Sequence, residues 1–316
     1  MLRFIFTDVS DNEIIIENPV SLDVNMDENV PAHDLCAKFL YRDVSELVSV
    51  TVADEKDVLF VGIVDEQIRQ CSAQGDFLTI VARSMAAKLL DNESVPISYT
   101  HPSKEVILKN HAIPFSVYSS DRDDCTYFGT QTVSKGYTNW QAIEDFSKNV
   151  YHSKPYVDSL GLLSFGDNEK RDVTVFSNTS DGVRFFSFKE CKKRCEEISK
   201  VKIKAVATDG YHMVVENKSA CERKIQRERY LNSVLTNTPV IHAQNMIKKS
   251  VENAYTVTLE CVGCRLSAFM NDAVVKLNNS EVINGLYVSS LRYRLSESTD
   301  VTTVTLKRKE SNYVVA

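Results

Sequence analysis

NGLYVSSLRYRLSESTDVTTVTLKR, residues 284–308, follows the same plan as VGIVDEQIRQCSAQGDFLTIVAR, residues 61–83. Each has a glycine, a long run with β-type alternation, a polar gap, and a second alternating run that ends on a basic residue. Placing Gly285 on Gly62 carries the preceding strand across without a gap, so that Val52 falls on Val275 and Val58 on Glu281. An extra residue or two in the polar loop then brings Val81 to Leu306 and Arg83 to Lys307 or Arg308. The spacing predicts one β-module used twice, with an α/β section between the copies. A cyclic trimer of such a chain would carry six similar modules in a ring, a physical means of joining a threefold object to a sixfold one.

Working outward, 316 residues suit several compact modules rather than one small core. A hydrophobic content of 43% with 25% charged residues is that of a folded protein rather than a disordered one. No apolar run reaches the about 20 residues of a membrane span, and MLRFIFTDVS lacks the pattern of a signal peptide, so the chain is expected to be made in a cytoplasm with no membrane span. A net charge of −6, with basic residues spread out except for short knots such as those at 192–194 and 307–309, argues against nucleic acid as the main partner.

The first part reads as strands at Glu13 to Ile16, Val48 to Ala53, Val58 to Arg69 and Phe77 to Arg83. PAHDLCAKFL, 31–40, fits either a helix, with Pro31 in its first turn and Leu35 paired with Phe39, or an extended segment held by tertiary context. Ser84 is the expected cap of a short helix in SMAAKLLDN, and Ser103 the cap of a second one ending before Pro114. Thr138 and Gln141 have capping-box spacing, followed by a helical stripe of Trp140, Ile143, Phe146 and Val150. KPYVDSLGLLSF predicts a hairpin turning at Ser159 to Gly161. Strands are expected at Lys200 to Ala207 and Tyr211 to Glu216, a helix in AQNMIKKSVENA, and β structure from Tyr255 onward. The charged stretch between Glu216 and Asn232 has no assignment.

FVGIVD, VARSMAAKLLD, NWQAIEDFSKNV, DSLGLLSF and the closing run 272–308 together resemble the baseplate hub proteins of bacteriophage tails, of the late control gene D type, and their relatives in contractile phage-tail-like bacteriocins. The resemblance implies an α+β, β-rich multidomain chain with two similar β-barrel modules and an inserted α/β module. The expected division is a first barrel module at 1–92, an α/β middle module at 93–168, a connecting region at 169–199 and a second barrel module, with an inserted helical segment, at 200–316. It further implies a homotrimeric adaptor between the sixfold tail tube protein and the threefold central spike protein. Baseplate wedge and tape-measure proteins are further candidate partners. The place of action would be the tail baseplate of a virion or tail-like particle, and the family has no catalytic residues of its own.

The chemistry-bearing residues give no stronger lead, and no catalytic, cofactor-binding or metal residues are expected. Cys261 and Cys264 form a CxxC and Cys191 and Cys195 a CxxxC, so a four-thiolate zinc site is conceivable. LECVGCRL, however, lies in an apolar run, where positions three apart on a strand point to opposite faces, unless Gly263 bends it. A redox CxxC would need a following helix that is not evident. Cys125, His152 and Asp158 compose a triad only on paper, and the chain has no GxSxG or GxxxxGK motif. Trp140 could stack on a sugar or base, but its helical stripe favours burial. Glu222 to Arg229 reads as a solvated face or an intersubunit contact. The alternative function is a tail-associated cell-wall hydrolase or a Cys-dependent hydrolase, and a third is a glycan-binding module.

Overall fold

The computed structural model describes residues 2–54, 57–73, 75–120, 123–165, 171–179, 182–204, 210–232, 239–278 and 281–309, with the backbone of 314–315. It is β-rich, 51% strand against 18% helix, and most of its strands join antiparallel ladders. The chain forms two compact units and passes repeatedly between them. Unit 1 holds Met1–Arg171, Val262–Met270 and Ser290–Thr303; unit 2 holds Asp172–Cys261, Asn271–Ser289 and Val304–Ala316.

Unit 1 opens with seven strands: β1 (Leu2–Asp8), β2 (Glu13–Glu17), β3 (Ser21–Asp27), β4 (Asp34–Leu40), β5 (Leu47–Asp54), β6 (Asp57–Ser72) and β7 (Gly75–Ser84). They pair in the order β3-β4-β7-β6-β5-β1-β2. Alternation of apolar residues fills one face: Phe4, Phe6, Phe39, Val50, Val52, Leu78 and Ile80 are buried, with Phe4 and Phe39 edge to face at 5.0 Å. Residues 34–40 are therefore the extended alternative of the two readings: sheet pairing on both sides, with β3 and β7, overrides the helical spacing of Leu35 and Phe39.

The remainder of unit 1 is a small α/β layer. It comprises α1 (Ala87–Asp91), β8 (Ile97–Thr100), α2 (Lys104–His111), β9 (Thr130–Val133), α3 (Asn139–Val150), β10 (Tyr156–Val157) and β11 (Leu163–Ser164). Ser103 caps α2, and Thr138 with Gln141 forms the capping box of α3 as their spacing predicts. Trp140, Ile143 and Phe146 are buried with Leu89, Ile107 and Phe165. Ser84 is not a cap: β7 runs through it, its hydroxyl accepts from the His33 amide at 3.0 Å, and α1 starts beyond at Ala87 without a side-chain cap.

Unit 2 contains β12 (Val173–Ser177), β13 (Phe185–Lys192), β14 (Lys200–Lys204), β15 (Met213–Glu216), α4 (Lys218–Glu222), β16 (Glu228–Asn232), α5 (Pro239–Ala254), β17 (Tyr255–Val262), β18 (Asp272–Lys276), β19 (Val282–Ser296), β20 (Thr299–Arg308) and β21 (Val314–Val315). The last residue of β17 and the adjoining ends of β19 and β20 belong to unit 1. One layer is the sheet β16-β14-β15-β21, whose Val201, Ile203, Val215 and Leu231 pack on Ala243, Ile247 and Val251 of α5. The unassigned charged stretch supplies α4 and β16 of this layer. Residues 205–207 of the expected strand at Lys200 to Ala207 lie outside the described residues.

The rest of unit 2 repeats the order seen in unit 1. Its strands pair as β13-β17-β20-β19-β18-β12, against β3-β4-β7-β6-β5-β1. In the first hairpin Val52 faces Phe60, and in the second Val275 faces Ile283, a common offset of 223. These ladders remain open paths and form no closed barrel among the described residues, because β2 and β13 each have a strand neighbour on one side only. The meander recurs, whereas closure into two barrels is not shown.

Candidate functional site

β6 is 16 residues long and outruns one of its neighbours. Asp57 to Ile63 pair with β5, and pairing with β7 begins at Gly62; from Asp65 on β6 pairs with β7 alone, and residues 65–71 form a sheet edge with no strand along it among the described residues. A bulge between Val64 and Glu66 marks the change. Gln67 seals the departure point, donating to the Ser45 carbonyl at 3.2 Å and accepting from the Leu47 amide at 3.0 Å. A groove of about 460 Å³ opens beside it, lined by Tyr41, Val64, Gln67, Arg69 and Leu78 among others. Arg69 lies over the Tyr41 ring at 4.1 Å, and Ile68 stays exposed on the opposite face.

The bulge is pinned from the next strand. Arg83 donates to Asp65 at 2.6 and 2.9 Å and to Asp91 at 2.7 and 3.1 Å, tying β6, β7 and the end of α1 together. These bonds raise the Arg83 pKa and hold the Asp91 carboxyl below its usual range. An exposed, hydrogen-bond-competent strand edge on a rigid base is a template for another strand, not a site for covalent chemistry.

No family model and no curated relative matches the chain. Solved structures do. A tail protein from Neisseria meningitidis is 15% identical with a TM-score of 0.70, covering 96% of both chains. A prophage MuSo2 43 kDa tail protein from Shewanella oneidensis is 13% identical with a TM-score of 0.74, covering 97% of this chain and 98% of that one. An Escherichia coli type VI secretion component, described as similar to T4 bacteriophage tail proteins, is 7% identical with a TM-score of 0.57, covering 92% of this chain and 73% of that one. The chain has the fold of these proteins. At such identities the likeness speaks of backbone architecture, and it extends over nearly the whole length.

The structure separates the residues of the paper triad. The Cys125 thiol donates to Asp123 at 3.2 Å, a bond that raises its pKa and disfavours the thiolate. His152 meets the Lys148 carbonyl at 3.1 Å, and Asp158 accepts the Leu160 and Leu162 amides in the hairpin turn, with Gly161 at φ +79°. No hydrogen bond joins the three. Among the cysteines, Cys191 sits on β13 and Cys195 is exposed beyond it, while Cys261 is buried on β17. The strand ends at Val262, Gly263 takes φ +80°, and Cys264 lies past that bend with burial pushing its thiol up to about 11. Among the described residues no three His, Cys, Asp or Glu side chains are gathered as metal ligands. Trp140 is 4% exposed and belongs to the core. The stretch Glu222 to Arg229 is partly turned inward: Arg223 pairs with the buried Glu197, and Ile225 is buried.

Sequence spacing gives no hint of two polar clusters in unit 1, one around the buried Lys104 and one around the buried His111. Lys104, almost fully buried, donates to the Asp123 carboxylate at 2.8 Å, and Tyr151 donates to the same carboxylate at 2.7 Å. Burial would raise the Asp123 pKa, but these donors hold it at about 2. His111 meets Ser94, Tyr99 and Asn139 within 3.1 Å, and burial lowers its pKa. Partners separated by 12 to 28 residues in sequence come together only on folding. Both clusters are fully hydrogen-bonded ties within the α/β layer.

Proposed function

We propose that the chain is a structural hub of a phage-type tail baseplate, a homotrimeric adaptor that joins the sixfold tail tube to the threefold central spike. The observation that carries the reading is the doubled six-strand order, β3-β4-β7-β6-β5-β1 and β13-β17-β20-β19-β18-β12, inside one chain whose fold over its whole length matches tail proteins. Three chains so built offer six similar surfaces, and a hexameric tube can meet all six with one kind of contact. In this reading each six-strand set is the scaffold of one barrel module, completed by neighbours in the ring. The α/β segment 93–168 stands between the modules, the first at 1–92 and the second running through 200–316, with the connecting stretch 169–199 lending its strands β12 and β13 to the second. The spike engages the trimer on the side away from the tube, in a contractile tail or a tail-like bacteriocin. Association of large surfaces carries the function, and the chain is not an enzyme. A PdpA–VgrG complex of Francisella contains the same fold, with a TM-score of 0.60 over 98% of this chain and 52% of that one, which supports a protein partner for the fold.

Cryo-electron microscopy of the assembled particle tests it. Three copies of the chain should form one ring at the tail tip between tube and spike. A tip that lacks the chain, or holds it in a number other than three, overturns the reading.

A further inference from the structure

The two meanders differ at one edge. The far half of the central strand β6 has an open edge, whereas in β19 the equivalent edge is taken: Ser290 to Leu295 pair antiparallel with Asp27 to Leu22 of β3. By strand order the counterpart of β3 is β13, which has β17 on one side and no strand on the other among the described residues. We propose that the open edge of β6 is occupied by β13 of a second copy of this chain, an intermolecular repeat of the β19–β3 pairing. Closure of these contacts into a ring of three rests on the hub reading.

The ladders fix the register. Gly285 receives the Lys309 amide, which sets Leu286 opposite Arg308, as Gly62 is opposite Ser84, so β6 and β7 map onto β19 and β20 with an offset of 224. This offset keeps the faces: Gln67 and Arg69, which line the groove with Leu78, fall on Leu291 and Tyr293, both buried. On the other side, Val24 pairs with Leu35 and Leu35 with Ala82. In unit 2, Ala82 maps to Leu306. The Gly263 amide donates to the Asp300 carbonyl at 3.0 Å, and that antiparallel register sets Leu306 opposite Val257, which pairs with Glu190; Arg308 over the Tyr255 ring at 4.3 Å agrees with it. Val24 therefore corresponds to Glu190, and Met26 to Lys192.

Transferring Leu291 opposite Met26 and Tyr293 opposite Val24 places Gln67 opposite Lys192 and Arg69 opposite Glu190 of the neighbour. Ile68 falls opposite Cys191, Gln70 opposite Lys189, and Glu66 opposite Lys193. The register was set by backbone pairing alone, yet it brings Arg69 to a carboxylate and Glu66 to an ammonium, with no like charges opposed. Arg69 has the exposure to do this, its side chain being 61% accessible. The same edge strand presents the exposed Ile68, and pairing would cover it.

The test uses the full chain and native Cys191. Ile68→Cys, oxidised at high protein concentration, should give disulfide-linked oligomers whose digests contain the 68–191 cystine. Arg69→Glu should weaken association by about tenfold or more, and the double change Arg69→Glu with Glu190→Arg should recover most of it, with circular dichroism confirming that each variant is folded. Trimers that form without the 68–191 link, and that ignore both charge changes, overturn the strand pairing while leaving the hub reading intact. A chain that stays monomeric at every concentration overturns the pairing as a contact between copies. The copy number in the particle then decides the hub reading independently.

Discussion

The two meanders share strand order and even a cross-strand pair, Val52 with Phe60 and Val275 with Ile283, but each places its irregularity differently. The first carries its extra residue at Leu59, before the glycine, and the second at Asn284–Gly285. Gly285, one of the two residues in that step, takes φ +69° with open space around it, as in a bulge that uses the left-handed region. Gly62 is needed for the opposite reason. Its backbone is ordinary, but a Cβ there would press into the Arg83 carbonyl oxygen and lie 2.7 Å from Phe60 Cε1. The glycines matched in sequence are not structural equivalents; Leu286 occupies the place of Gly62. A repeated fold has been kept while the local solutions diverged.

The largest effect that should separate the copies is Gly62→Val. The collision is with backbone, which cannot swing aside, so a loss of about 3 kcal/mol is expected in urea unfolding. A midpoint unchanged from the parent would mean that β7 can shift away from β6, and the contrast between the glycines would vanish.

Acid sharpens the comparison of the two units. In unit 1, His33 is buried edge-on to Phe269 at 4.8 Å, donates from Nε2 to the Val157 carbonyl, and has no partner at Nδ1. Burial first, opposed by the Val157 carbonyl and by Asp27, lowers its pKa from 6.5 to about 4. The unfolded chain therefore binds this proton more readily than the folded one. Stability is full above pH 6.5 and falls between pH 6.5 and about 4, by about 3 kcal/mol. The described histidines of unit 2, His212 and His242, lie on the surface. Hydrogen exchange across this pH range should show unit 1 loosening first; equal loosening of both would remove His33 as the cause.

Gly285→Ala comes next. It meets no atom within 4 Å but must hold a left-handed backbone, at a cost of about 1 kcal/mol, and Gly285→Asn should cost less. A cost equal to that of Gly62→Val in thermal unfolding would show that the two positions are constrained alike after all. The smallest difference concerns the basic residues that end the meanders. Arg83→Lys breaks the two-pronged clamp on Asp65 and Asp91 and should lose about 1 kcal/mol. Lys307→Arg, in the matching place, should change stability by less than about 0.5 kcal/mol. Chemical denaturation of both variants side by side would reveal whether the clamp is peculiar to the first copy.

Period and capping were written in the residues themselves. Alternation in 77–83 and 299–308, the capping box at Thr138 and Gln141, and the stripe of Trp140, Ile143 and Phe146 are local properties. Each forms where its own side chains require, so the β-rich composition, the doubled meander and the α3 helix were legible. Tertiary structure decided what local rules leave degenerate. Residues 31–40 had helical spacing, but two flanking strands offered a full set of backbone hydrogen bonds and made β4. Ser84 could cap a helix, but His33 claimed its hydroxyl. A one-residue bulge costs little in sequence and reverses every face beyond it, which is why counting from Gly62 to Gly285 placed Val52 on Val275 correctly but set Gly62 on Gly285 and Val58 on Glu281 one residue out of step. The open edge of β6 lay furthest from view. An edge is defined by a missing neighbour, and only the completed set of ladders among the described residues shows that β5 stops short while β7 goes on.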